Sequence, residues 1–292
     1  MPSHDPQDRA LLDQLLADAA LYRSGPAFKA LLEFAARLRG FAPFNAMLLH
    51  IQRPGLTYAA SAREWGERFG RTVKEHAIPL IILWPFGPVA LVCDVADTIG
   101  ADGSTELPKG LASFWARGAI TEPRLAACIA ATGAKGIRVE PVAEGDGSAG
   151  RIRVAARPLK EGGRSSYLVH LNAKHPAATR FCTLAHELAH LCLGHLGPDK
   201  HLHIPARGRL DHATVELEAE AVAYLVAARN GVQSESEKYL VNFVKPVMTT
   251  DGMDLYQVMR AAGQVEMLMR LQANEAGGSP VSAGSAEPRL FG

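Results

Sequence analysis

Two histidines and a glutamate stand in the run His186-Glu187-Leu188-Ala189-His190, flanked at helical spacing by Phe181, Leu184, Ala185, Leu188 and Leu191. On a helix the i and i+4 positions share one face. Two imidazoles placed so can hold one tetrahedral Zn²⁺, each nitrogen at about 2.0–2.1 Å. Glu187 follows the first histidine directly, the position in H-E-x-x-H from which a general base takes a proton from the metal-activated water. The plainer alternative is a pair of hydrogen-bonded core histidines with a salt-bridged glutamate.

A catalytic zinc site needs a third protein ligand and an open position. His195 is one candidate, but it lies past Gly194 and must fold back from a helix end. The metzincin spacing would need Gly at 193 and His at 196, and both positions are leucine. The second candidate lies in Glu216-Leu-Glu218-Ala-Glu220-Ala-Val-Ala-Tyr224. Glu216, Glu220 and Tyr224 share a helix face, and Ala221, Val222, Ala223, Leu225 and Val226 make that helix a buried one. Buried carboxylates need a partner charge or a metal. Such a pair on a second helix is similar to the gluzincin arrangement, with one carboxylate on the metal and the other on the far nitrogen of a ligating histidine. The expectation is Glu216 as ligand, Glu220 behind a histidine, and Glu218 at the surface; an exchange between Glu216 and Glu220 stays open. His195 and Tyr224 are also candidates for transition-state or substrate contacts, as are His201, His203 and His212. A His/His/Glu set favours zinc, one per chain, among the divalent metals.

The elements that must position these groups are legible in part. Helical spacing appears over 8–53 in three pieces, over 62–69 behind Ser61 as cap and before Gly70 as stop, and over 111–117 and 122–132 behind Thr121. It returns over 176–193, 213–229, 235–244 and 252–272. Ile78–Trp84 and Val89–Val95 read as a hairpin, Ile137–Val142 as a strand, and Arg151–Ala156 with Ser166–Leu171 as a second hairpin. Residues 97–110 read as loop. An edge strand beside a metal site could bind an extended peptide by strand addition, and 166–171 is the expected one. The fold class is α+β: an N-terminal helical and hairpin module over 1–100, a zincin-like domain over 101–274, and a Gly/Ser/Ala/Pro-rich tail over 275–292 expected to be disordered.

Composition narrows the function classes. Thirty-one Lys and Arg against 30 Asp and Glu leave a net charge of +1, so no overall field steers the chain to nucleic acid or an anionic membrane. The most apolar stretch, 78–95, is broken by Pro79, Pro85 and Pro88 and cannot span a bilayer. Cys93, Cys128, Cys182 and Cys192 form no C-x-x-C pair and read as buried thiols. With a polar, acidic N-terminus carrying no signal-peptide pattern, the expectation is a cytoplasmic protein that acts on a protein or peptide substrate and not at a membrane.

Thr183-Leu-Ala-His-Glu-Leu-Ala-His190, followed by Glu216-x-x-Ala219-Glu220-x-x-Ala223, resembles the ImmA/IrrE-type metallopeptidases. The resemblance covers roughly 150–230. It implies a gluzincin-like fold and a zinc ligand set of His186, His190 and Glu216, with Glu187 as catalytic acid and base. Where that family often has Asn, this chain has Glu220. The N-terminal part is similar to the single-stranded-DNA-binding domain of ArdC-like anti-restriction proteins, through Asn45-Ala-Met-Leu-Leu49, Gln52, Trp65, Gly70-Arg-x-Val-Lys74, Pro85 and Asp94-Val-x-Asp-Thr98. That resemblance implies a single-stranded-DNA groove, and Arg63, Trp65, Arg68, Arg71 and Lys74 are its candidate contacts. Against it, residues 1–100 carry ten basic and ten acidic side chains, a net charge of zero.

Overall fold

The computed structural model describes residues 25–84, 87–100, 120–143, 150–158, 163–232 and 253–271. The helices expected over 8–24, 111–117 and 235–244 and the tail over 275–292 lie outside these residues.

Seven helices are described: α1 (Gly25–Arg37), α2 (Pro43–Gln52), α3 (Ala62–Phe69), α4 (Glu122–Gly133), α5 (Ala177–Cys192), α6 (His212–Arg229) and α7 (Leu255–Leu268). Their starts follow from local chemistry. Ser61 and Glu64 form a reciprocal capping box at α3, and Gly70 ends that helix in the left-handed region at φ 60°. Thr121, Asp211 and Asp254 each accept a backbone N–H of the first turn at α4, α6 and α7.

The strands are β1 (Ala59–Ala60), β2 (Arg71–Val73), β3 (Leu80–Trp84), β4 (Gly87–Asp94), β5 (Thr98–Gly100), β6 (Ile137–Val142), β7 (Gly150–Ala156) and β8 (Ser166–Asn172). They form three small sheets, ordered β1-β4-β3, β2-β5 and β6-β8-β7. The first expected hairpin is β3 against β4, with Leu80 opposite Val92. Asn45 and Gln52 of α2 pair with the other edge of β3. Each amide both donates to and accepts from one backbone unit, Asn45 at Leu83 and Gln52 at Ile81. An edge that would otherwise offer bare backbone is thereby covered.

Two strand expectations are corrected. Residues 98–100 are not loop: they pair with β2, because the buried Arg71 guanidinium donates to both the hydroxyl and the carbonyl of Thr98. Three-residue strands are too short to show an alternation. Residues 166–172 are not an edge either. β8 lies at the centre of its sheet, parallel to β6 and antiparallel to β7, so β7 is the edge strand on the other side.

Alternation explains the third sheet. Ile137 and Val139, Ile152 and Val154, and Tyr167, Val169 and Leu171 face the core that α5 fills with Phe181, Leu184, Leu188 and Leu191. The same cluster takes in Phe28 and Leu31 of α1, Met47 of α2, Val222 and Val226 of α6, and Val258 and Val265 of α7. Arg229, at the end of α6, pairs with Glu266 of α7 at 2.8 Å and donates to the Ala35 and Phe41 carbonyls. A cation thus satisfies carbonyls at the end of α1 and in the loop that follows it.

Candidate metal centre

Helix α5 buries its apolar face and turns His186 and His190 toward α6, against which it packs. Their Nε2 atoms lie 3.1 Å apart. Glu216, in the second turn of α6, points its carboxylate between them, with Oε2 3.5 Å from His186 Nε2 and Oε1 3.7 Å from His190 Nε2. Ligand atoms at about 2.0–2.2 Å from a tetrahedral ion lie about 3.3–3.6 Å from one another. The three observed separations bracket that range. His186, His190 and Glu216 therefore form a group that could hold one metal ion.

The outer nitrogens are engaged as well. Glu220, one turn after Glu216, accepts from His186 Nδ1 at 3.1 Å. His190 Nδ1 lies 2.9 Å from His195 Nδ1. Both Nδ1 atoms are thus occupied and both Nε2 atoms are left to converge. His186 and His190 are held differently. Burial would lower the pKa of His186, but the hydrogen bond and charge of Glu220, with Glu187 and Glu216 near, raise it above the ordinary value. Burial, with the charges of His186, His195 and His212 near, pushes His190 down to about 3.

Glu187 lies beside this group and is buried. Burial raises its pKa, and the charge of His186 and a backbone hydrogen bond from Ile152 only partly offset that. An upward shift is the direction that would suit a carboxyl exchanging a proton with a bound water. The Ile152 amide belongs to β7, so the edge strand runs directly past Glu187. Gly150 allows that approach: a Cβ there would sit 2.6 Å from Thr183 Cγ2 and 2.8 Å from the His170 carbonyl oxygen.

His195 does fold back, because Gly194 takes φ +83° and the His195 amide bonds the His190 carbonyl at 3.0 Å. It does not join the three converging ligand atoms. Its Nδ1 meets His190 and its Nε2 lies 3.1 Å from Glu218. Glu218 was expected at the surface and is instead fully buried. The pairing of Arg207 with its carboxylate, and the Asp254 amide at 2.9 Å, make that burial tolerable. Burial alone would raise the Glu218 pKa; hydrogen bonds from His195, Arg207 and Asp254 outweigh it and hold the group below its ordinary value. Arg207 escaped sequence reading altogether, since a loop arginine carries no periodicity. The signal that could have exposed Glu218 is the helix face it shares with Val215, Ala221, Val222 and Leu225, away from that of Glu216 and Glu220.

The remaining histidine candidates do not join the converging group. Tyr224 is half-buried against the core one turn beyond Glu220. His212 stands exposed at the rim, its Nδ1 3.8 Å from Glu216 Oε1. His201 Nε2 lies 3.1 Å from the Gly163 carbonyl oxygen, and the His203 carbonyl accepts from Arg260.

Among the described residues, Trp65 gives the nucleic-acid groove implied by the ArdC-like resemblance no stacking surface. Trp65 is fully buried, with its indole N–H on the Cys93 carbonyl at 2.9 Å and its ring against Tyr58 and Phe69. It became core because α3 lays its one apolar face on β1 and β4. Arg71 is buried on Thr98, Arg63 pairs with Glu67, Arg68 lies over Phe69, and Lys74 donates to the Ala96 carbonyl. Asp94 and Asp97 are held by Arg53. Base stacking needs an exposed aromatic surface, which Trp65 does not provide.

Residues 134–229 match the family model described as the IrrE N-terminal-like domain, Peptidase_M78. The match contains α5, α6 and the whole β6-β8-β7 sheet; nothing in the comparisons supports an ArdC-like N-terminus. No curated protein and no solved structure matches the chain.

Proposed function

We propose that this protein is a zinc-dependent metallo-endopeptidase of the ImmA/IrrE type that cleaves a protein substrate. One observation carries the reading. Two imidazole Nε2 atoms and one carboxylate converge at metal-ligand spacing, with a buried glutamate alongside. The match of residues 134–229 to a peptidase family supports it independently.

The donor set fits zinc: two neutral imidazoles and one carboxylate leave a fourth, open position. When bound, such an ion acts as a Lewis acid toward the scissile carbonyl and acidifies a water. The protein's own residues do the rest. His186, His190 and Glu216 hold the ion, and Glu220 orients His186. Glu187 takes a proton at its carboxylate and returns it to the leaving amine, a task suited to a pKa raised by burial. β7 supplies the substrate rail. The Ile152 amide turns away from β8 toward Glu187, and in an antiparallel strand its carbonyl turns the same way. With the Ile152 N–H already on Glu187, a peptide laid along that edge would pair with the other outward main-chain groups of β7.

The test combines metal analysis with proteolysis. Protein prepared without added metal should hold about one zinc per chain, and His186→Ala and Glu216→Ala should lose it. Glu187→Gln should retain zinc and lose cleavage of a digestible protein substrate by a factor of about 10²–10⁴. Normal cleavage by Glu187→Gln would sink the mechanism, and a parent unable to take up zinc would sink the site.

A further inference from the structure

The hydrogen bonds behind His190 form a chain that ends on a buried ion pair, and their directions can be worked out. Glu218 offers two carboxylate oxygens. Oε1 accepts from the Asp254 amide at 2.9 Å and from Arg207 Nη2 at 3.0 Å, while Oε2 accepts from Arg207 Nη1. Every partner is a donor, so the group acts as an acceptor throughout. His195 Nε2, 3.1 Å from Glu218 Oε2, must then carry its hydrogen. A neutral imidazole with hydrogen on Nε2 has a lone pair on Nδ1. His190 Nδ1, 2.9 Å away, must therefore be the donor to His195, which leaves the lone pair of His190 on Nε2. That atom faces His186 Nε2 and Glu216.

We propose that His195 and Glu218 are positioning residues of the metal centre: Glu218 fixes the tautomer of His195, and His195 fixes that of His190, so that His190 presents its Nε2 lone pair to the ion. The proposal rests on the reading of His186, His190 and Glu216 as a metal site. The two ligating histidines are then held in different ways. His186 meets a carboxylate directly, at Glu220. His190 reaches one only through a second imidazole. The far end is buried and closely packed: the Glu218 and His195 side chains are 0% and 5% exposed, and the segment carrying Arg207 lies against Gly194, where a Cβ would meet the Pro205 carbonyl at 2.6 Å. Neighbours that hold a ligating histidine by its other nitrogen typically change metal affinity 10–100-fold when removed.

The experiment uses the whole 292-residue chain in two measurements. Nitrogen-15 NMR of the histidine side chains in metal-free protein should report His190 with hydrogen on Nδ1 and His195 with hydrogen on Nε2. A His190 carrying its hydrogen on Nε2 overturns the relay, whatever the metal result. Zinc affinity is then measured by chelator competition for the parent, His195→Ala and His195→Asn. His195→Ala should bind zinc at least about tenfold more weakly. His195→Asn keeps an acceptor oxygen near the former Nδ1 and should recover most of that loss, which a merely space-filling role would not produce. Equal affinity in parent and His195→Ala overturns the proposal while leaving the metal site intact. A parent that binds no zinc overturns the metal reading instead, and the tautomers still decide the relay. Should the His195 variants fail to fold, the parent's tautomers decide alone.

Discussion

Glu216 and Glu220 lie one turn apart on α6 and address opposite nitrogens of the same imidazole. Glu216 Oε2 is 3.5 Å from His186 Nε2, and Glu220 Oε2 is 3.1 Å from His186 Nδ1. The i, i+4 spacing of the acidic helix thus brackets one ring of the H-E-x-x-H helix. The first carboxylate shares the position where an ion would sit; the second faces away from it. Their roles should separate on substitution.

Glu216→Ala should abolish stoichiometric zinc binding, whereas Glu220→Gln should weaken it by about 10–100-fold and leave the stoichiometry at one. Competition with a chelator of known affinity reads both. Equal losses at the two positions would contradict the division of labour.

Gly150 is the contact point between the edge strand β7 and helix α5. In Gly150→Ala the new methyl group would meet Thr183 Cγ2 and the His170 carbonyl oxygen, the second of which is backbone and cannot rotate away. A destabilisation of about 1–3 kcal/mol by urea denaturation is expected. Peptide cleavage should fall further than zinc binding, because β7 moves while α5 and α6 hold the ligands. Unchanged stability and cleavage would show that the strand can yield without cost.

Arg207 faces a carboxylate with no access to solvent. Arg207→Met leaves Glu218 buried without its counter-charge and should cost about 3–5 kcal/mol. Removing both charges, in Arg207→Met with Glu218→Leu, should regain much of that stability without regaining zinc affinity. Thermal or urea denaturation of the single and double variants gives the stability; chelator competition gives the affinity. A double variant as unstable as the single one would show that packing, not charge burial, dominates there.

Metal removal should be felt as lost stability. A ligand present at 100 times its dissociation constant stabilises by about 2.7 kcal/mol. Zinc-loaded protein should therefore melt higher than stripped protein, and His186→Ala should show no difference between the two states. Calorimetry with and without chelator tests this.

The alkaline limb of stability should carry a mark of Tyr167. Its hydroxyl donates to Asp199 Oδ2 at 2.7 Å, and burial, reinforced by that bond, pushes its pKa up to about 12. An unfolded tyrosine titrates near 10. The folded pKa is raised, so the contribution is complete below about pH 10 and is lost as pH rises toward 12. Tyr167→Phe should be less stable than the parent by about 1 kcal/mol at neutral pH. The gap should close between pH 10 and 12 in urea titrations; a constant gap would refute the assignment.

What could be read directly was local. H-E-x-x-H at helical spacing, the acidic pair on the following helix, the caps at Ser61 and Thr121, and the β3–β4 and β7–β8 hairpins all rest on chemistry within a few neighbouring residues. Their periodicities are set by backbone geometry and survive in any tertiary setting. Three decisions needed the folded chain. Sheet order made β7 the edge and β8 the centre, because the parallel partner β6 arrives from 30 residues upstream and no alternation encodes which side it takes. Trp65 and its basic neighbours read as a groove, yet pattern alone does not say whether an amphipathic face meets solvent, nucleic acid or the protein's own core. Glu218 read as surface because three carboxylates in five residues are normally solvated; only the arrival of Arg207 and His195 from the preceding loop makes its burial possible. Sequence by itself determined which groups can do chemistry and on which elements they ride. Tertiary structure decided which nitrogen each histidine presents and which carboxylate stands behind it, since these follow from contacts between segments whose spacing in the chain carries no record of their distance in space.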